Sequence, residues 1–210
     1  MKKTSEDIDK KKVVLLLQPS RPVLCTTVDP DGSDHIAPFG WCMPVSQKPP
    51  VLAVAIHHSP EKSKSLENIE RTGEFVINLP HSGLAEETIR TAFPKDGTLH
   101  KFNFSMFTRQ ESRIVTPVGI KECVASLECK LAEVQYIGDH ALIIGNVVFA
   151  TFEPLAYKGM AWNVEHFQPL IHLGHRSYKD GTQVHEIFDG KNTPVELIIE
   201  TKSEETKSAL

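Results

Sequence analysis

The alternation of hydrophobic and polar positions along this chain predicts a protein built mainly of β-strands. Short runs rich in β-branched and apolar residues recur between turn-forming residues, which is typical of strands. We predict strands at Val23–Val28, residues 35–41, residues 51–56 and Glu74–Leu79. The turn residues Asp29-Pro30-Asp31-Gly32 separate the first two strands, so that pair should be antiparallel. The third run is apolar throughout, so we expect it to be buried on both faces.

The longest predicted strands lie in the second half of the chain. They cover residues 123–136 and His140–Phe152, and the tripeptide Ile137-Gly138-Asp139 between them predicts a hairpin. We expect these two strands to form the spine of a barrel. Many strands with few helices between them favour a closed β-structure over repeated βαβ units.

Two segments have the composition and spacing of helices. The first covers residues 61–71, ends before Gly73, and places three side chains on one face: Leu66, Ile69 and Lys62. The second covers residues 84–93, and the aromatic-rich residues 101–107 fit either a helix or a loop. The predicted fold class is therefore mainly β, within the α+β class, as a barrel with a few inserted helices.

Length, charge and hydropathy limit the class of protein. A chain of 210 residues can form one domain with a substantial core. We divide it into a flexible N-terminal arm at residues 1–12, a domain at residues 13–190 and a C-terminal extension at residues 191–210. The net charge of −4 and the pI near 6.2 argue against a nucleic-acid partner.

The sequence also gives an expectation of where the protein works. No apolar run reaches the roughly 20 residues that a membrane-spanning helix needs. The N-terminus, MKKTSEDIDKKK, is charged throughout and lacks the apolar stretch of a secretory signal. We therefore expect a cytoplasmic protein with no membrane partner.

The cysteines and histidines do not match a metal-binding signature. The four cysteines form no CxxC pair, so we expect four reduced thiols. Of the ten histidines, His57 and His58 are adjacent and would point to opposite faces of a strand, whereas His172 and His175 lie in a glycine-containing loop. We expect no bound metal. The nucleotide-binding signatures GxGxxG and GxxxxGK[ST] are absent as well.

One segment combines the groups that bind a phosphate. Residues 59–65 follow the buried strand and open the first predicted helix, whose N-terminus favours anions. Hydroxyls and lysines alternate there, as Ser59, Lys62, Ser63, Lys64 and Ser65. The alternative interpretation is a plain helix N-cap by Ser59 with a solvated basic turn behind it. Because two hydroxyls and two lysines come directly after a buried strand, we favour an anion site.

A second segment suits a flat ring system. Small residues permit close approach of the backbone, and two aromatic side chains offer apolar surface. The candidate residues are Ala37, Pro38, Phe39, Gly40, Trp41, Val45 and Ser46. Phe39 and Trp41 can instead be core residues of a strand. A phosphate site beside an apolar slot predicts a nucleotide-type cofactor.

Taken together, these segments resemble the FMN-binding split-barrel proteins of the flavin reductase and flavoredoxin type. The resemblance covers about residues 21–178 and rests on a set of short motifs: Ala37-Pro38-Phe39, Val45-Ser46, Lys48-Pro49-Pro50, residues 73–80, residues 126–130, Gly138-Asp139-His140, and His172-Leu173-Gly174 with Tyr178. The family's arginine before the helix is replaced here by Ser63, so the phosphate cation must be Lys62 or Lys64. Gly174-His175 stands where the family has Gly-Gly, and Asn146 stands where it has a charged residue.

The resemblance implies a fold, a cofactor and a function. It implies an FMN-binding split β-barrel that forms a homodimer, with flavin near the subunit interface. It implies an oxidoreductase that is reduced by NADH or NADPH, as flavin reductases are. It adds Asn78 to the candidate cofactor-binding residues, and it suggests four residues for the exposed face of the flavin: His140, His172, His175 and Tyr178.

Two alternatives stay open. The first is a flavoredoxin-type electron carrier, which keeps FMN bound and exchanges electrons with a protein partner. The second is a non-redox barrel that binds some other anionic ligand, and the replacement of the family's arginine by Ser63 keeps this alternative open. The choice between NADH and NADPH, the electron acceptor and the presence of a monooxygenase partner are not determined by the sequence.

Overall fold

The fold is described from a computed structural model of the chain. The structure describes residues 4, 6, 9–92, 101–174, 177–180, 183–187 and 197–199. Nearly half of these residues lie in strands, which are β1 (Val23–Val28), β2 (Asp34–Phe39), β3 (Cys42–Gln47), β4 (Pro50–His57), β5 (Glu74–Leu79), β6 (Arg109–Gln110), β7 (Gly119–Ile120), β8 (Ala125–Ile137), β9 (His140–Phe152), β10 (Tyr157–Lys158), β11 (Ala161–Trp162), β12 (Leu170–Gly174), β13 (Ser177–Asp180), β14 (Gln183–Ile187) and β15 (Leu197–Ile199). The α-helices are α1 (Lys64–Thr72) and α2 (Ala85–Arg90).

Seven strands form one antiparallel sheet in the order β2-β1-β5-β8-β9-β4-β3. The chain turns directly from β2 into β3, and there the carbonyl of Trp41 accepts a hydrogen bond of 2.9 Å from the backbone N–H of Ala55 in β4. The curled sheet is a split β-barrel, and the mainly β fold with few helices that the sequence predicted is confirmed. A separate four-stranded sheet, β12-β13-β14-β15, follows it in the chain.

Both hairpins that the sequence predicted are present. Between β1 and β2, Gly32 adopts a φ of +83°, which glycine tolerates without steric cost. Between β8 and β9, Ile137 pairs with His140, so the turn contains only two residues. Gly138 is the first of them, with a φ of +60°, and this is the glycine position of a type II′ hairpin turn.

The core lies inside the barrel and under α1. One cluster of buried side chains combines residues of five barrel strands with the inner face of α1: Val23, Cys25, Leu52, Val54, Ile56, Leu66, Ile69, Phe75, Ile77, Cys129, Ala141 and Ile143. The predicted strand at residues 51–56 contributes three of these residues and is largely buried, as expected. Since side chains alternate across a strand, the residues between these core positions face outward.

The first helix starts later than the sequence predicted. α1 begins at Lys64, not at residue 61, because Ser63 has extended backbone angles and its hydroxyl accepts the capping hydrogen bond from the Leu66 N–H at 3.3 Å. Ser59 is therefore not the N-cap, and Lys62 precedes the helix rather than lying on its face. The predicted end is correct, since Gly73 has a φ of +71° and donates its N–H to Ile69 at 2.8 Å.

The second helix is shorter than predicted. α2 covers Ala85–Arg90, and a 3-10 turn at Ser82–Leu84 precedes it. The predicted end of this helix at Phe93 lies outside the described residues. Lys101–Phe104 forms a 3-10 turn, so the segment that fitted either a helix or a loop is mainly a loop.

The ends of the chain are described only in part. The predicted arm of residues 1–12 ends inside a 3-10 helix at Lys10–Leu17. The predicted extension at residues 191–210 falls mostly outside the described residues. None of the helices in the described part of the chain is long and apolar enough to cross a membrane.

Candidate functional site

Five aromatic and imidazole side chains lie at one end of β4, near the N-terminus of α1, in two contacting groups that we together call the aromatic shelf: Trp41, His57 and His140 in one group, and His58 and Tyr136 in the other. The rings of Trp41 and His140 stack with centroids 4.8 Å apart and an interplanar angle of 29°. His57 meets His140 edge-on at 5.2 Å, and His58 meets Tyr136 edge-on at 5.0 Å. Trp41 is 39% exposed, so the shelf presents aromatic surface to solvent.

Strand alternation explains why His57 and His140 face outward, whereas Tyr136 pairs with the buried Ala141 and lies on the face covered by α1. Ile56 and Ala141 are buried in the barrel, so the neighbouring His57 and His140 point away from it. The sheet register places His57 directly opposite His140. Trp41 joins them because it lies at the bend between β2 and β3, where its carbonyl is bonded to β4. Three segments that are distant in sequence therefore meet at one end of β4.

The N-terminus of α1 adjoins this shelf. The backbone N–H of Ser63 donates to the carbonyl of His57 at 3.3 Å, which fixes the start of the helix next to the end of β4. Ser65 is 1% exposed, and its hydroxyl has no hydrogen-bond partner among the described residues. The buried Nε2 of His58 also lacks one there. Buried polar groups normally have partners, so these two groups fit a site that a bound anion completes.

Both lysines of the predicted phosphate segment are paired with carboxylates. Lys64 Nζ lies 2.8 Å from Asp29 Oδ2, and this carboxylate is only 2% exposed. Lys62 Nζ lies 2.8 Å from Glu70 Oε2 and 5.3 Å from the centre of the Tyr136 ring. Lys64 thus lies on the inner side of the segment, at the helix N-terminus. Lys62 lies on its exposed side.

Hydrogen bonds shift the pKa values of the groups around Lys62. The hydrogen bond to Glu70, with a smaller contribution from Tyr136, raises the pKa of Lys62. Partial burial acts to raise the pKa of Glu70, but the hydrogen bonds from Lys62 and Tyr136 outweigh it, and the pKa is lowered. The result is a charged cluster that ties the β8–β9 hairpin to α1.

His140 is held by the residue before it. Its Nδ1 lies 2.6 Å from Asp139 Oδ1, and this hydrogen bond lowers the pKa of the Asp139 carboxyl. The backbone carbonyl of Asp139 also accepts a hydrogen bond of 3.0 Å from His58. The hairpin turn therefore fixes both the ring orientation of His140 and the backbone of His58.

The residues predicted for the ring slot separate into two groups. Phe39 packs against the main core cluster, whereas Trp41 lies on the shelf. Ala37, Pro38 and Gly40 are half-buried along β2 and the bend that follows it, Val45 is exposed, and Ser46 is half-buried on β3. Of the two predicted aromatic residues, only Trp41 presents its ring to the shelf.

Asn78 lies in the interior of the sheet, away from the shelf. Its side chain has no exposed surface, and its Nδ2 donates to Leu24 O and Thr26 Oγ1 at 3.2 Å each. Its Oδ1 accepts from Ile120 N at 3.0 Å and from Ser126 Oγ at 2.6 Å. These contacts use every hydrogen-bonding atom of the amide group. Asn78 therefore stabilises the sheet, whereas the sequence predicted that it binds the cofactor.

The residues that the sequence suggested for the exposed face of a flavin lie on two sides of the β2–β3 bend. His140 stacks on Trp41, whereas His172 lies against Gly40: a Cβ atom on Gly40 would be 3.0 Å from His172 Nδ1. The backbone of Tyr178 pairs with His172 in β12–β13. The side chain of Tyr178 and the whole of His175 lie outside the described residues.

Sequence reasoning did not predict several residues of the site. Tyr136 and Glu70 carried no motif, and His57 and His58 were considered only as metal ligands. Only their positions could have indicated them, because each lies near the end of a predicted strand or on the outer face of a predicted helix. All four cysteines are free, as expected. Within the described ranges, no three His, Cys, Asp or Glu side chains are arranged to hold a metal ion.

Comparison with known proteins identifies relatives over most of the chain. Residues 17–173 match the family described as the flavin reductase like domain. The flavin reductase (NADH) of Kitasatospora aureofaciens is 32% identical over 130 residues, which is 62% of this chain and 64% of that protein.

Two solved structures have a similar fold. Nitrilotriacetate monooxygenase component B from Bacillus cereus superposes with a TM-score of 0.76 at 21% identity, over 85% of this chain and 94% of that one. Flavoredoxin from Methanosarcina acetivorans superposes with a TM-score of 0.65 at 18% identity, over 99% of this chain and 96% of that one.

Proposed function

The chain belongs to the flavin reductase-like domain family, and on this premise we propose that it is an FMN-binding oxidoreductase reduced by NADH or NADPH. The observation that carries the proposal is the contact between the aromatic shelf and the N-terminus of α1. One end of this surface offers stacked aromatic rings, and the other offers a helix terminus with an unsatisfied buried hydroxyl. A flavin mononucleotide has the same two parts, a flat ring system and a phosphate.

The phosphate end is served by three features of this chain. The free N–H groups at the start of α1 and the helix dipole attract an anion. Ser65 and His58 supply polar atoms that have no partner in the described structure. We assign the positive charge to Lys64, which lies at the first position of the helix, because Lys62 is directed to Glu70 and Tyr136 instead.

The ring end is served by Trp41 and His140. Their stacked side chains form an aromatic surface beside which a flat ring can lie. Asp139 holds the His140 ring in place through Nδ1. A bound flavin supplies the redox chemistry, and the protein supplies its placement and its electrostatic surroundings. This division of labour explains why the sequence contains no recognisable catalytic triad.

We also propose that the protein is a cytoplasmic homodimer. Strand β3 lies at the edge of the seven-stranded sheet, and Met43 and Val45 on it are 59% and 53% exposed. An exposed apolar edge strand is a liability that native proteins usually cover. A second copy of the chain that packs on β3 would cover it and would enclose Trp41 at the subunit boundary. Sedimentation of the purified protein tests this arrangement.

The visible absorption spectrum of the purified protein tests the proposed function. We expect the bands of an oxidised flavin, present on purification or restored by FMN, which bleach under anaerobic conditions when NADH or NADPH is added. Bands that bleach only with a chemical reductant would favour the electron carrier with a protein donor. A protein that shows no flavin bands and does not bind added FMN would contradict the proposal and favour a non-redox barrel.

The phosphate assignment predicts the effect of a double variant. Lys64→Ala with Ser65→Ala should weaken FMN binding by about tenfold or more, which is about 1.4 kcal/mol. Fluorescence titration of FMN measures this. The matched control is Lys62→Ala, which removes the same charge from the exposed side of the segment and should change the affinity less.

A second control separates binding from stability. Lys64 also neutralises the buried Asp29, so its removal leaves an unpaired carboxylate. Asp29→Asn removes that carboxylate and keeps Lys64, so FMN affinity should be retained or increased. An unchanged affinity in the double variant would remove the phosphate site from this segment.

A further inference from the structure

The barrel contains a second opening, away from the aromatic shelf. A cavity of about 340 Å³ lies at the end of β4 opposite the aromatic shelf, and we call it the end cavity. Pro50, Val51 and Leu52 line it, whereas His57 of the same strand belongs to the shelf. These two ends of β4 are roughly 23 Å apart, at about 3.3 Å per residue.

The walls of the end cavity are apolar. Six aliphatic side chains from five barrel strands contribute to them: Val23, Leu52, Ile77, Leu79, Leu127 and Val147. The half-buried Cys42 adds a thiol, and burial raises its pKa to about 11, so it is neutral at physiological pH. A cavity with such walls favours an apolar ligand.

Among the residues that the structure describes, Arg21 is the one charged residue that lines this cavity. Its guanidinium lies 5.5 Å from the centre of the Trp162 ring. Within the described part of the chain, no carboxylate lies close enough to Arg21 to form an ion pair. An arginine without a carboxylate partner at an apolar opening is complementary to a ligand with one anionic end, because guanidinium and carboxylate form two parallel hydrogen bonds.

The volume limits the size of the ligand. If each group takes the roughly 30 Å³ that a water molecule occupies in the liquid, the cavity holds on the order of ten non-hydrogen atoms. We propose that the end cavity binds an apolar monocarboxylate of this size, with its carboxylate on Arg21 and its apolar part inside the barrel. Met43 and Ser46 of β3 also line the cavity, so it adjoins the predicted ring slot and the edge on which we place the second subunit. The proposal itself rests on Arg21 and the apolar walls, and none of these residues belongs to the shelf or to α1.

Trp162 provides a direct readout. The chain has two tryptophans, so Trp41→Phe leaves Trp162, next to Arg21, as the sole one. We expect octanoate to change the emission of this variant saturably, and to bind about tenfold more tightly than octanol, which lacks the charge. Isothermal titration of the unmodified full chain, with and without added FMN, checks the same affinities.

Three variants test the charged and the apolar parts of the site separately. Arg21→Met keeps the length of an exposed side chain and removes its charge, so octanoate affinity should fall about tenfold while octanol affinity stays the same. Arg21→Lys should restore part of the octanoate affinity. Val147→Phe fills the cavity and should weaken both ligands, and its thermal unfolding shows whether the variant is folded.

Three results would overturn the proposal. The first is no saturable emission change and no binding heat with octanoate. The second is equal affinity for octanoate and octanol, with Arg21→Met having no effect. The third is competition, in which FMN is released to the same extent as octanoate binds. The end cavity would then belong to the flavin site. Failure of FMN binding alone would leave this inference intact.

Discussion

The two ends of strand β4 have opposite chemistry. At one end, His57 points outward and joins Trp41 and His140 in a polar aromatic surface beside a helix N-terminus. At the other end, Leu52 points inward and forms part of an apolar cavity with a single arginine at its opening. The period of two in a strand makes this possible, because neighbouring residues face opposite sides of the sheet. A single strand can thus contribute to two sites.

The two regions also differ in whether their cationic side chains are paired with carboxylates. At the shelf, Lys62 and Lys64 each have a carboxylate partner within 2.8 Å. At the end cavity, the described residues offer Arg21 an aromatic ring but no carboxylate. A ligand anion at the shelf must therefore share Lys64 with Asp29. An anion at the end cavity meets a cation that is free of such competition, which is why we expect each region to be selective for its own ligand.

The largest expected effect comes from the strand that connects both regions. A Cβ atom on Gly145 of β9 would lie 2.4 Å from Cζ of the fully buried Phe75, so Gly145→Ala forces the ring or the strand to move. We expect a loss of about 3 kcal/mol in the free energy of unfolding, at the upper end of the range for overpacking. Urea denaturation measures it, and both FMN and octanoate binding should weaken.

Phe75→Leu serves as the matched control for this variant. It removes ring atoms from the contact, so the double variant Gly145→Ala with Phe75→Leu should lose less stability than the sum of the two single variants. Additive losses would show that the contact between residue 145 and Phe75 does not limit the packing of the barrel.

The next largest effect is expected on ligand affinity, with each of two variants weakening a different ligand. Lys64→Ala with Ser65→Ala should lower FMN affinity about tenfold and leave octanoate affinity unchanged, whereas Arg21→Met should do the reverse. The reason is that no contact is shared between the two sets of residues. Parallel titrations of both variants with both ligands measure this, and a variant that weakens both ligands equally would show that the two regions form one site.

The smallest effect is a pH dependence at the cavity end of the barrel. His81 follows β5, whose Leu79 lines the end cavity, and burial lowers the pKa of His81 from its ordinary value of 6.5. The unfolded chain therefore binds a proton on this residue at a higher pH than the folded chain does. Stability should be complete above about pH 6.5 and fall as the pH drops through the lowered pKa.

His81→Asn isolates this contribution. Asparagine can still accept the hydrogen bond that His81 Nδ1 receives from the Gly83 N–H, but it does not titrate. Urea midpoints measured on either side of the histidine range should differ less in this variant than in the unmodified protein. An identical pH dependence would show that another group is responsible, since at the shelf Asp139 has a lowered pKa and titrates only in stronger acid.

Much of the fold could be predicted from the sequence because its signals are local. The bounds of Val23–Val28, His140–Phe152 and Glu74–Leu79 agree with β1, β9 and β5, since strand length follows from the apolar runs and the turns between them. The start of α1 was wrong by three residues. Several serines precede this helix, and only the folded backbone decides that Ser63 provides the cap.

The candidate site was predictable only where a motif marks it. Trp41, His140 and residues 59–65 were identified in the sequence, and the structure brings them together. The role of Asn78 was not predictable, because a buried amide that bonds to Leu24, Thr26, Ile120 and Ser126 looks the same in sequence as one that binds a ligand. The pairing of Lys64 with Asp29 joins residues that are far apart in the chain.

The sequence by itself determined the class of this protein, its strands and turns, and the segment that opens α1, because these depend on neighbouring residues and on the two-residue period of a strand. Only the tertiary structure decided which side chains meet. The register of β4 against β9 places His57 opposite His140, and the strands of the barrel together line an open cavity next to Arg21. Such contacts depend on distances through space, and no local pattern in the chain encodes them.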